Sequence, residues 1–224
     1  MAARQKALIA WSSGKDSAWA LHVARQAGEY DVTGALTTVT DGFGRVSMHG
    51  VREELLQAQL AAAGLAPIIV RIPYPCPNEV YERAMAAAMQ DAKARGVTHV
   101  IFGDLFLEDV RAYRERQLAG SGIAPVFPLW QRPTAPLARE MIAGGVEAHL
   151  AVVDLKKLPA AFAGRRFDTA LLDALPAGTD PCGENGEFHS FVSAGPMLAR
   201  KIPVSVGETV ERDGFAFADL VPSS

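Results

Sequence analysis

The chain has 224 residues, 49% of them apolar and 21% charged, with a formal net charge of −3. That balance suits a globular protein built as one large α/β domain, or one domain with a small appendage. It excludes a globally basic nucleic-acid-binding surface, and no apolar run approaches the roughly 20 residues that a membrane-spanning helix needs.

Strand and helix signals alternate along the first two-thirds of the chain. KALIAW (6–11) is a short apolar run of the buried-strand kind, and DSAWALHVARQAGEY (16–30) is a helix ending near Gly28. DVTGALTTVT (31–40) is β-branched and strand-like. VREELLQAQLAAAGL (51–65) places Val51, Leu55, Ala58 and Ala62 on one helical face and stops at Gly64. APIIVRIP (66–73) is the third strand, and NEVYERAMAAAMQDAKARG (78–96) a long helix capped by Asn78 and ended by Gly96. THVIFGD (98–104), APVFPLW (124–130) and EAHLAVVDL (147–155) are the fourth, fifth and sixth strands. Helical signals lie around Glu108–Leu118 and Leu137–Ile142.

This rhythm predicts a doubly wound, mostly parallel sheet with helices on both faces. Ligands of such sheets sit at the carboxyl ends of the strands. Three post-strand segments should therefore converge: SSGKDS (12–17), VTDGFG (39–44) and GDLFLED (103–109). After residue 158 the rhythm breaks. A Gly/Pro-rich stretch (175–196) leads into MLARKIPVSVGETVERDGFAFADL (197–220), read as one or two β-hairpins. The only cysteines, Cys76 and Cys182, lie far apart, which argues against a disulfide scaffold. The N-terminus lacks a signal-peptide pattern, so a cytoplasmic location is expected.

The loop Ser12-Ser13-Gly14-Lys15-Asp16-Ser17 turns from strand to helix through small residues. Backbone N–H groups at a helix N-terminus bind anions, and small side chains admit a phosphate. The spacing is neither that of a Walker A loop nor G-x-G-x-x-G. It does resemble the S-G-G-x-D-S signature of the N-type ATP pyrophosphatases, the PP-loop superfamily. DPCGENGEFHSFV (180–192) resembles the G-E-N-G-E-F-H-[TS] signature of the diphthine–ammonia ligase family within that superfamily, and VFPLW (126–130) its P-L-W segment. The three motifs run in order over nearly the whole chain. Three features depart from the pattern. Ser13 stands where glycine is usual, and the Tyr/Arg-rich stretch LEDVRAYRERQLAGSG (107–122) is shifted in spacing. HGVREELLQAQLAAAGL (49–65) looks more like the bacterial members.

The resemblance implies a HUP-type, PP-loop ATPase fold, with a nucleotide-binding domain over 1–158. A C-terminal extension over 159–224 would carry GENGEFH and close the cleft. It also implies that ATP is cut between its α- and β-phosphates with Mg²⁺, so that a carboxylate is adenylated and then takes ammonia or an amine. The acceptor is a small carboxylate or a modified protein side chain, and homo-oligomers are conceivable. Ser12, Ser13, Gly14, Lys15, Asp16 and Ser17 would hold phosphates. Asp16 is either a helix-terminus brace or a metal ligand. Leu36 and Thr37 match where such proteins contact adenine through backbone atoms. Gly103 and Asp104 end the fourth strand, where glycine admits a ligand and Asp104 adds a second carboxylate.

Arg111 and Arg114 lie three apart on one helical face, fit to grip pyrophosphate or a carboxylate, although such a run can equally be a solvated face. Glu184, Asn185, Glu187 and His189 crowd a glycine-flanked turn. Glu187 and His189 share one side if the turn is strand-like, and could orient the amine or move its proton; the alternative is a self-braced polar turn. Cys182 is more often structural than nucleophilic, and His49 could reach the cleft. Two other functions compete: an RNA-modifying PP-loop enzyme, disfavoured by the missing basic surplus, and a non-catalytic adenine-nucleotide sensor.

Overall fold

The computed structural model describes residues 4–223. Its first strand, β1 (Gln5–Ala10), runs parallel to β2 (Tyr30–Thr40), and β2 parallel to β4 (Ala66–Ile72). On the other side of β1 lie β5 (His99–Ile101) and then β6 (Ala124–Val126), again parallel. The short β3 (Arg45–Val46) pairs antiparallel with Val39 and Thr40 of β2. Connecting helices are α1 (Lys15–Ala27), α2 (Glu53–Ala63), α3 (Asn78–Ala94), α4 (Glu108–Leu118) and α5 (Thr134–Ala143).

Alternation along the strands explains the double winding. Ala7, Ile9, Ala35 and Val39 face one way and pack with Leu21 of α1 and Leu55, Leu56 and Leu60 of α2. Leu8, Leu36, Val70 and Val100 face the other way and pack with Met89 and Ala92 of α3 and Leu118 of α4. Each fully buried Leu or Ile contributes roughly 1.5–3 kcal/mol. Strand order reverses between β1 and β5, so the segments after those two strands flank the crevice where ligands of such sheets bind.

A second sheet follows, antiparallel throughout, in the order β8-β7-β10-β9: β7 (Glu147–Asp154), β8 (Phe188–Ala194), β9 (Val204–Arg212) and β10 (Phe215–Pro222). The hairpins expected near the C-terminus are there. EAHLAVVDL, however, belongs to this sheet as β7 and does not extend the parallel one. Its run of four buried residues marks a strand covered on both faces, a pattern common to either sheet. The change of sheet therefore falls between β6 and β7. At α3 a second correction is local: Pro77 takes the N-cap position, while Asn78 is already helical and donates Nδ2–H to Glu82 Oε1 at 2.8 Å.

The second sheet and its flanking loops share the α1/α2 core, where Phe188, Phe191 and Val192 are buried. Main-chain and arginine bonds fasten the join. Ala199 N–H donates to Ala62 O at 2.8 Å, and Arg25 donates to Ala63 O at 2.7 Å and Met197 O at 3.3 Å. No described helix is long and apolar enough to cross a membrane.

Candidate active site

The loop 12–17 leaves β1 and enters α1, with Gly14 at the N-cap and no side-chain cap. The Gly14 and Lys15 N–H groups are taken by Ser12 Oγ and Ser190 Oγ, which leaves those of Asp16 and Ser17 for a ligand. Ser17 Oγ and Ser12 Oγ lie 3.2 Å apart, and Ser12 Oγ accepts Gly14 N–H at 3.3 Å. Gln59 secures the loop from below. It is fully buried on α2, donates Nε2–H to Ser13 O at 3.0 Å and Val192 O at 2.7 Å, and accepts Trp11 Nε1–H at 3.1 Å. Sequence reasoning missed Gln59. The signal was an amide on the face that otherwise carries Leu55, Leu56 and Leu60.

Ser13 has φ of +69°, the left-handed region, which accounts for the glycine usual there in the resembled signature. Its buried Oγ has no hydrogen-bond partner. Ser13→Gly relieves both costs against glycine's greater chain entropy, and a net stabilisation of about 0.5–1 kcal/mol is expected by urea denaturation.

Lys15, read in the sequence as a phosphate-loop charge, turns into the protein. It is 2% exposed. Its ammonium contacts both Asp16 oxygens (3.1 and 2.9 Å) and the carbonyl of Cys182, and lies over the Phe167 and Phe188 rings, 5.6 and 5.2 Å from their centroids. Burial disfavours its charge, but Asp16 and the polar groups around Cys182 and Glu184 outweigh burial and hold its pKa above the ordinary value. Asp16 remains 28% exposed toward the crevice.

β8 closes over the loop from the far end of the chain. Ser190 Oγ accepts Lys15 N–H at 3.1 Å, and Val192 N–H donates to Ser13 O at 3.0 Å. The turn before β8 is braced by its own carboxylates. Asp180 Oδ1 accepts the N–H groups of Cys182 (2.9 Å) and Glu184 (3.1 Å), and its Oδ2 accepts Thr134 Oγ–H. Glu187, 4% exposed, accepts Asp180 N–H at 3.1 Å and Asn185 Nδ2–H at 3.3 Å, while its Oε2 is buried without a partner. Asn185 itself is exposed. Glu187 and His189 do not meet in a dyad here. The His189 ring packs on His49, with centroids 4.3 Å apart, and burial depresses both imidazoles, His49 to about 4. Cys182 is buried, and burial pushes its thiol up to about 12, as suits a structural cysteine.

Glu184 crosses to the other wall, accepting Leu105 N–H at 2.8 Å and Phe106 N–H at 3.4 Å. Burial raises its pKa from the ordinary 4.5 to about 7, the two N–H donors opposing and Asp16 and Asp104 reinforcing. The folded protein thus holds a proton that the unfolded chain has lost, and stability falls as pH rises from 4.5 to about 7. Glu184→Gln, in nucleotide- and metal-free protein, is expected to flatten that fall, which after solvent screening amounts to about 1–2 kcal/mol. Thermal melts at closely spaced pH values check it; an unchanged slope refutes it.

Gly103 backs onto α1 so closely that a Cβ there would lie 2.7 Å from Asp16 C and 2.8 Å from Ser17 N. The fourth-strand glycine is thus required by the first turn of α1. Asp104 Oδ2 is buried with no hydrogen bond among the described residues and lies 3.7 Å from Arg114 Nε. Burial raises the Asp104 carboxyl despite Arg114, and Asp16 adds to the rise. Arg111 pairs with Glu115 at 2.8 Å on its own helix. Leu36 O accepts Trp11 N–H at 2.8 Å and Thr37 Oγ–H donates to Trp11 O at 2.9 Å, so both brace the strand that enters the loop. The Leu36 side chain, on the opposite face, lines a cavity of about 30 Å³ with Phe102, Tyr113 and Arg114.

The fold and this crevice define a doubly wound α/β protein whose helix-terminal loop 12–17 is roofed by a C-terminal antiparallel sheet. Family models described as the diphthamide synthase N-terminal domain and C-terminal domain match residues 5–125 and 134–219, and the chain belongs to the diphthamide synthase family. It is similar to proteins named diphthine–ammonia ligase. With that of Rattus norvegicus it shares 35% identity over 103 residues, 44% of this chain and 39% of the relative. The Homo sapiens protein is 33% identical over the same shares, and the Danio rerio protein 31% identical over 136 residues, 55% of this chain and 51% of the relative. The chain thus spans between about two-fifths and one-half of the length of these relatives.

Proposed function

We propose that this chain is an ATP-dependent, AMP-forming ligase that joins ammonia or an amine to a substrate carboxylate. The observation that carries the reading is the uncapped Ser12–Ser17 loop at the strand-order reversal, faced by Asp16, Asp104 and Glu184. Relatives named diphthine–ammonia ligase support the class of reaction. In the proposed reaction a carboxylate oxygen attacks the α-phosphorus of ATP, the α–β bridging bond breaks, and pyrophosphate leaves with that electron pair. The amine then attacks the acyl carbon of the mixed anhydride, AMP departs, and one amine proton is released.

Each group of the chain has a task in this scheme. Backbone N–H groups of Asp16 and Ser17, with the hydroxyls of Ser12 and Ser17, hold the departing phosphates. Among the described residues no three or more His, Cys, Asp or Glu side chains form a metal cluster. Mg²⁺ nonetheless suits the site, because it binds through one or two carboxylates plus phosphate oxygens and waters. Asp16 and the orphaned Asp104 oxygen would hold it, and it would supply neutralisation of the phosphate charge. Glu184, with its pKa near 7, is the group best poised to take the amine proton. Leu36 and Thr37 fix the strand beside the nucleoside. Asn185, exposed at the turn, faces the acceptor side, and Arg111 and Arg114 grip an oxyanion of the substrate. Glu187 and His189 shape the roof, with His189 a neutral imidazole. The part of the chain after residue 158 closes the cleft.

The test is release of AMP and pyrophosphate from Mg-ATP with ammonium and a pool of carboxylate metabolites, for wild type and Asp16→Ala. Acceptor-dependent AMP that vanishes in the variant is expected. ADP with phosphate would sink the mechanism. AMP formation only with RNA would favour a nucleic-acid acceptor, and binding without cleavage would favour a nucleotide sensor.

A further inference from the structure

The P-L-W segment has no role in the chemistry above, yet its rings lie against both arginines of α4. Arg111 Cζ is 4.7 Å from the Trp130 centroid and 4.9 Å from that of Phe127. Phe127 in turn lies 5.9 Å from Trp130 and stacks on Phe102 at 5.5 Å, and Arg114 Cζ sits 5.2 Å over Phe102. The rings form one connected, bent shelf at the carboxyl ends of β5 and β6, Trp130 inclined by 58° to Phe127, with a guanidinium group against each part of it.

The shelf is rigid. Leu129, between Phe127 and Trp130, is fully buried, and Gln131 N–H donates to Leu105 O at 2.6 Å. That bond ties it to the segment whose Gly103 presses on the phosphate loop. A guanidinium held between two rings inclined at 58° has few orientations open to its donors, which suits a two-pronged grip on an oxyanion. Arg111 engages its Nε with Glu115 at 2.8 Å, so its Nη edge is the part left to a ligand. Arg114 Nε is buried with no hydrogen bond. A helix exposed only for solubility would let both side chains swing in water; here aromatic contacts fix them.

We propose that Phe127 and Trp130 are positioning residues that hold Arg111, beside Arg114, to receive an oxyanion of the substrate. The choice of phosphate over carboxylate rests on the ligase reading, in which pyrophosphate leaves at this end of the sheet. The probe is inorganic pyrophosphate, followed by tryptophan emission and by calorimetry. Trp11 is buried beside loop 12–17 and Trp19 is buried on α1, so the Trp130→Phe variant separates the signals: an emission change from the ring against Arg111 is lost in it.

By calorimetry, Arg111→Lys and Trp130→Ala should each weaken pyrophosphate at least about tenfold, since each removes the fixed plane of the guanidinium. Trp130→Phe, which keeps a ring face, should stay within about threefold of wild type. Circular dichroism confirms that each variant is folded. A folded Trp130→Ala that binds pyrophosphate like wild type overturns the shelf and leaves the ligase reading standing. No saturable pyrophosphate binding by the wild type also overturns it. Shelf-dependent binding without AMP release from any acceptor instead retains the oxyanion site and removes the ligase.

Discussion

Lys15→Met is expected to destabilise the protein by about 2–4 kcal/mol, because it removes the positive member of a buried pair and leaves the partner behind. Methionine fills the space between Phe167 and Phe188, so lost packing is a small part of the cost. The larger part is Asp16, whose carboxyl burial already pushes up against the pull of Lys15 and would push further without it, and the Cys182 carbonyl, which loses its donor. Asp16 is 28% exposed, which keeps the cost below that of a fully enclosed charge. The sign with pH follows. In the variant the folded state binds a proton more tightly than the unfolded chain, so the deficit shrinks as pH falls toward about 4. Lys15→Met/Asp16→Asn should recover more than half of the loss. Urea denaturation of the four proteins of this cycle decides it. Equal losses in the single and double variants would show that packing, and not charge, dominates.

Gly103→Ala should cost about 1–3 kcal/mol in stability and at least about tenfold in Mg-ATP affinity. The added methyl would meet main chain, not a side chain that can rotate away: Asp16 C at 2.7 Å, Ser17 N at 2.8 Å and Asp16 O at 2.9 Å. Either the first turn of α1 or the segment after β5 must shift, and in the proposed reaction the first turn offers the N–H groups of Asp16 and Ser17 to phosphate. Displacements well under 1 Å suffice to spoil such a site. Isothermal titration with Mg-ATP and a denaturant midpoint measured together check both parts. Wild-type affinity in a destabilised variant would mean that the β5 side yields and the loop does not.

The parallel order of the first sheet and the meeting of loop 12–17 with segment 103–109 were legible because short apolar or β-branched runs, helical periodicity and turn residues are local signals. The sheet to which β7 belongs was not. A strand buried on both faces carries no mark of its partners, and these lie at Phe188–Ala194 and Phe215–Pro222. Lys15 was read as a phosphate ligand because its chemistry permits that. Its actual partners come from Cys182, Phe167 and Phe188, which no spacing rule connects to it. Gln59 is the same case, an ordinary helix residue made structural by two carbonyls from different ends of the chain. In the GENGEFH turn, the density of polar residues was visible, but its division was not. Glu187 braces the turn itself, whereas Glu184 bonds across to Leu105.

The bonds that fix the phosphate loop also set an order of events during folding. Lys15 and Ser190 are separated by 175 residues, and Lys15 and Cys182 by 167, so the loop is finished by contacts among the most distant in sequence. Such closures come late, because a long stretch of chain must be ordered before they gain anything. A nascent chain that has formed β1, α1 and β2 would therefore carry the loop in outline while its Lys15 ammonium still faced water. Competence to bind nucleotide would then mark the completed chain, and the loop would be among the first parts to relax when the C-terminal sheet loosens.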